Sequence, residues 1–88
     1  MNFFWENPTL QLNAEWSGAY VRALPNSAFL VVYKGERHLP VKNHLGKYDC
    51  DHIRSAMGRA LQTTSIPLHL RKKAQARAKV LFKKHCGG

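Results

Sequence analysis

The sequence predicts a small α+β domain, an antiparallel sheet of two or three strands followed by two packed helices. Three observations carry that expectation. Residues Thr9 to Trp16 alternate apolar and polar, the period of a half-buried strand. Phe29 to Tyr33 and His38 to Val41 flank a short Gly-containing segment, the pattern of a hairpin. From Asp49 onward the apolar spacing changes to threes and fours, the period of helices that bury one face.

In the first strand Leu10, Leu12, Ala14 and Trp16 share a face opposite Thr9, Gln11, Asn13 and Glu15. Ser17-Gly18 breaks it, and Ala19 to Leu24 lead to a second break at Pro25-Asn26. Phe29-Leu-Val-Val-Tyr33 is rich in strand-favouring residues. Lys34-Gly35-Glu36-Arg37 places Gly at the first central position of a tight hairpin, so that His38-Leu39-Pro40-Val41 returns beside it. Pro40 cannot donate to a ladder, which makes that strand short or an edge.

A polar connection from Lys42 to Tyr48, with Gly46 inside it, ends at Asp49, a suitable helix cap. Ile53, Ala56, Met57, Ala60 and Leu61 form the apolar stripe of the first helix, with His52, Ser55, Arg59 and Gln62 elsewhere around it. Gly58 interrupts this helix at about 1 kcal/mol relative to Ala, which reads as close packing against the sheet or the second helix. After Thr63 to Ile66, Pro67 opens a second helix that runs to about His85. Its stripe is Leu70, Ala74, Ala78, Leu81 and Phe82.

Eighty-eight residues fit one domain with one core: an N-terminal strand extension over 1–18, a hairpin region over 19–48 and a basic helical hairpin over 49–86. No apolar run is long enough to span a bilayer, and Met1 to Glu6 lacks the basic start and apolar stretch of a signal peptide. These features predict a cytoplasmic protein without a membrane partner. Cys50 and Cys86 are the only cysteines, and in a reducing compartment both are expected as thiols. With His52 and His85 they supply zinc-type donors, but adjacent His85 and Cys86 do not match the usual ligand spacing. No metal or other cofactor is expected.

The charge is segregated. Residues 1–51 carry five basic and five acidic side chains, whereas 52–88 carry nine basic and none acidic, so the formal +9 belongs to the second segment. A solvated helix face normally mixes signs; a face with no acid for pairing four residues away is suited to a polyanion. Enzymatic chemistry is not expected. Asp49 and Asp51 read as first-turn caps rather than a carboxylate pair, and the five histidines come with no evident nucleophile and orienting acid. Trp5, Trp16, Tyr33 and Tyr48 are candidates for base stacking but read as core.

Tyr20-Val-Arg-Ala-Leu-Pro-Asn-Ser-Ala-Phe29, Arg37-His-Leu-Pro40, Gly46-Lys-Tyr-Asp49, His52-Ile-Arg-Ser-Ala-Met-Gly-Arg59 and Gln62-Thr63 form an ordered series of blocks. The series resembles a small domain without an established activity that recurs in tailed-phage and prophage proteins. That domain is often appended to larger phage proteins, including some associated with prohead proteases. The resemblance implies a phage or mobile-element origin, and hence the host cytoplasm, rather than a mechanism. It places weight on Leu24, Pro25, Ser27, Phe29, Arg37, Leu39, Pro40, Asp49, His52, Arg54, Ala56, Arg59 and Gln62. The chain departs from it at Gly58, where the pattern has Ala or Leu, and in its short hairpin, where relatives carry a longer charged insertion. Met1 to Trp16 lies outside it.

The function these readings predict is non-enzymatic binding of DNA or RNA, mainly through phosphates and without specific base reading. The candidate residues are Arg37, His52, Arg54, Arg59 and Gln62, together with Arg71, Lys72, Lys73, Arg77, Lys79, Lys83 and Lys84 of the second helix. The alternative is docking of an acidic protein, such as a phage assembly component or host factor, or a larger nucleoprotein complex, on the same surface.

Overall fold

A computed structural model describes residues 16–87. Five elements follow in order: α1 (Gly18–Ala23), β1 (Phe29–Tyr33), β2 (Glu36–Pro40), α2 (Cys50–Arg59) and α3 (Leu68–His85). Single 3-10 turns over Asn26–Ala28 and Ala60–Gln62 precede β1 and extend α2. The strands form a two-stranded antiparallel sheet, and the helices follow, the α+β order that the spacing predicts. The expected strand from Thr9 lies outside the described residues except at Trp16.

Helix α1 is the element that the sequence does not announce. Ser17 Oγ accepts from the Tyr20 N–H at 3.1 Å and so caps it, satisfying one of the free donors of a helix start. Six residues are too few for an apolar stripe to repeat, so this segment reads in the sequence as a connection between breaks.

β1 has the expected bounds. β2 begins at Glu36 because Tyr33 pairs with Glu36, which leaves Lys34 and Gly35 alone in the turn. Their φ values are 51° and 79°, positive at both central positions as a type I′ turn requires. Gly35 therefore occupies the second central position, not the first. Leu39 also has a positive φ, 62°. This is an uncommon conformation for a residue with a Cβ, and costs about 1–2 kcal/mol.

α2 starts where Asp49 predicts, with the Asp49 carboxylate accepting from the His52 N–H at 3.0 Å. Ile53, Ala56 and Ala60 are buried and Met57 is half-buried, but Leu61 is 40% exposed. The tighter 3-10 winding from Ala60 rotates Leu61 off the stripe. Gly58 does not mark close packing: it is exposed, and a Cβ built on it meets nothing within 4 Å.

On α3, Ala74, Ala78 and Leu81 are buried, while Leu70 and Phe82 pack at the margins. The core joins Val41, Ile53, Ala56, Ala78 and Leu81 in one cluster and Val31, Ala60, Ile66 and Ala74 in a second. The alanines let α2 and α3 approach closely. A third cluster, Leu24, Ala28 and Phe29 with Trp16, Tyr20 and Val21, seats α1.

Cys50 and Cys86 are joined as a disulfide with Cα atoms 5.8 Å apart, in place of the expected thiols. Packing places the start of α2 beside the end of α3, a proximity invisible across 36 residues of sequence. Among the described residues no cluster of His, Cys, Asp and Glu suits a metal. No described helix is long and apolar enough to cross a membrane.

In urea denaturation, Gly58→Ala is expected to raise the unfolding free energy by about 1 kcal/mol, because it gains helix propensity in open space. Reducing the disulfide, or Cys86→Ser, lowers it by about 4 kcal/mol through restored loop entropy in the unfolded chain.

Candidate nucleic-acid interface

The cationic surface is built on α3. Its buried stripe uses only a narrow sector of the helix, and at 3.6 residues per turn the cations fall outside it in two rows. Lys73, Arg77 and Lys84 lie on the flank toward β1; Lys72, Lys79 and Lys83 lie on the outer face. All six are exposed. Among the described residues the only ion pair made by a Lys or Arg is Arg54 with Asp51, at 3.1 Å. None of the six cations therefore has a described carboxylate within 4 Å.

Between α3 and β1 runs a groove of about 420 Å³. Lys73 and Arg77 line it from the helix, Lys42 and Tyr48 from the segment after β2, and Ser27 at its end. Lys42 is not among the sequence candidates, because a single lysine in a polar connection carries no pattern. Its ammonium sits 4.9 Å from the centre of the Tyr48 ring, which in turn stacks on His85 at 4.4 Å. Tyr48 and Trp16 are half-buried and already stacked within the fold; Trp5 lies outside the described residues.

Two of the predicted arginines face inward. Arg37 donates to the carbonyl oxygens of Leu24, of Arg22 at 2.9 Å and of Val21 at 3.3 Å, closing the end of α1, and its guanidinium lies over the Phe29 ring. Arg71 donates through Nε to the Ile66 carbonyl and through Nη1 to that of Leu61, both at 3.0 Å. Each guanidinium adds donors to carbonyls at a helix end or turn, including those of Leu24 and Arg22 for Arg37 and of Leu61 and Ile66 for Arg71.

Arg54 and Arg59 do not share a surface. Arg54 lies toward α3, its guanidinium 5.4 Å from the centre of the Phe82 ring. Arg59 lies on the other flank of α2, in a cavity with His52, His38 and Ser55. His38 and Ser55 are not legible as site residues in the sequence, since their convergence depends on β2 crossing beside α2. Gln62 is exposed at the end of the 3-10 turn. Comparisons with protein-family models, curated proteins and solved structures find no match to this chain.

The inward arginines and the outward lysines separate by stability. Arg37→Gln lowers the unfolding free energy by about 1–3 kcal/mol, since it strands partly buried carbonyls; Lys73→Gln changes it by less than about 0.5 kcal/mol. Thermal or urea denaturation of the two variants checks this.

Proposed function

We propose that this protein is a non-enzymatic nucleic-acid-binding module of phage or mobile-element type that holds phosphates along α3 without reading base sequence. The observation that carries this reading is the set of six exposed cations, in two rows on one helix, with no carboxylate to neutralise them among the described residues. A phosphate backbone carries condensed counterions, and cations that neutralise its phosphates release them, the main source of sequence-independent affinity. An 18-residue helix is about 27 Å long, enough to follow several phosphates. Lys42, Lys73 and Arg77 extend the same field into the groove beside β1. Arg37 and Arg71, engaged with carbonyls, are left out of the contact surface.

A second reading, docking of an acidic protein, is favoured by one observation. Val80 and Leu68 on α3 are 60% and 50% exposed, and apolar anchors among charges are what a protein interface uses.

Fluorescence anisotropy with labelled duplex DNA, single-stranded DNA and RNA at several salt concentrations separates the two. Phosphate tracking gives a steep salt dependence, and Lys73→Gln with Arg77→Gln reduces the log–log slope by about two units. No binding to any of the three at low salt, together with tight binding of an acidic partner abolished by Val80→Asp, gives the second reading instead.

A further inference from the structure

We propose that the open cavity between α1, β2 and α2 binds a phosphate monoester of about the size of a mononucleotide, with Arg59, His52, His38 and Ser55 as the phosphate ligands. The cavity measures about 430 Å³, within the range of small-molecule sites. It lies on the flank of α2 turned away from α3, so it is independent of phosphate tracking along that helix.

Six features point there. His52, Ser55 and Arg59 recur at i, i+3 and i+7 along one flank of α2, and all line the cavity. The Asp49 carboxylate lies 2.6 Å from His52 Nδ1 and also accepts the His52 backbone N–H. An ionised carboxylate only accepts, so the shared proton sits on Nδ1; Nε2 then donates to a phosphate oxygen as imidazolium, or accepts from a phosphate P–OH as neutral imidazole. The Trp16 ring stacks on the imidazole at 3.5 Å and 15°, fixing its plane.

On the opposite wall, His38 Nε2 is buried with no hydrogen-bond partner; the nearest carboxylate oxygen, on Glu36, is 3.6 Å away. Buried polar groups are normally satisfied, so this nitrogen calls for a partner that the described residues do not supply. The Arg59 guanidinium makes no hydrogen bond or ion pair among the described residues, and its planar fork suits a phosphate. Leu39, held at a φ of 62°, forms the adjoining wall; strained backbone of this kind gathers at ligand sites.

Polar groups on two opposing walls suit the several oxygens of a tetrahedral phosphate better than a planar carboxylate. Val21, Leu39 and Pro40 supply apolar surface for the body of the ester. The same chemistry is offered by a free mononucleotide and by the 5′-phosphate of a nucleic-acid strand.

The test follows the histidine ring resonances by NMR while the protein is titrated with inorganic phosphate, AMP and adenosine. A parallel arm compares 5′-phosphorylated and 5′-hydroxyl oligonucleotides of one sequence. AMP is expected to shift both His38 and His52, and to bind about tenfold or more tightly than adenosine. Arg59→Gln, at an exposed position that holds no part of the fold, weakens AMP about tenfold or more, whereas Lys73→Gln with Arg77→Gln leaves it unchanged. A preference for the phosphorylated oligonucleotide assigns the site to a strand end; AMP binding without that preference assigns it to a free mononucleotide. Absence of His38 and His52 shifts with either AMP or phosphate, or AMP affinity unchanged by Arg59→Gln, overturns the proposal.

Discussion

Helix α3 must hold a row of like charges against the domain with very little apolar surface. Of its 18 residues only Ala74, Ala78 and Leu81 are buried, and alanine contributes little area to bury. The rest of the fold answers that constraint. Ile53 and Ile66, the largest fully buried side chains, fill the space that the alanines leave, and Ala56 and Ala60 bring α2 close enough to touch. At the far end of α3, beside Lys83 and Lys84, the Cys50–Cys86 bond adds a covalent tie to the packing of Leu81 and Phe82. At its near end Arg71 reaches back to two carbonyls of the connection, and between them Gln75 Nε2 donates to the Met57 carbonyl at 3.2 Å.

Two of the arginines, Arg37 and Arg71, serve the fold rather than the surface. The rigid, multiply donating guanidinium closes chain turns, as Arg37 does for α1 and Arg71 for the α2–α3 connection, because it reaches two or three carbonyls from one planar group. The ammonium of lysine is compact and strongly hydrated, and here it stays at the surface, as at Lys72, Lys73, Lys79, Lys83 and Lys84. Net charge therefore overstates the number of cations that stand free of the fold, and the exposed cations of α3 are a smaller set.

Helix α2 presents different chemistry on its two flanks. Toward α3 it offers Met57 and Arg54, whose guanidinium lies over Phe82; toward β2 it offers His52, Ser55 and Arg59. One cap residue serves both ends of that arrangement: Asp49 starts the helix and, with the same oxygen, orients the His52 ring.

Much of the architecture is legible in the order of residues along the chain. The strand at Phe29 to Tyr33, the cap at Asp49, the opening of α3 after Pro67 and its alanine stripe all follow from local rules of periodicity, capping and proline geometry. Charge segregation is likewise a property of that order, and it places the cationic row on α3. Other features depend on which elements meet. α1 is too short to repeat a pattern; Gly58 carries no sign in sequence that its surroundings are open; the cysteines become neighbours only when α2 and α3 pack antiparallel. Arg37, Arg54 and Arg59 are equivalent as letters, yet one closes a helix, one lies against an aromatic ring and one faces a cavity. A residue's own backbone preferences are written in the few positions around it, whereas its contacts are set by chain segments far away in sequence, and those only tertiary packing decides.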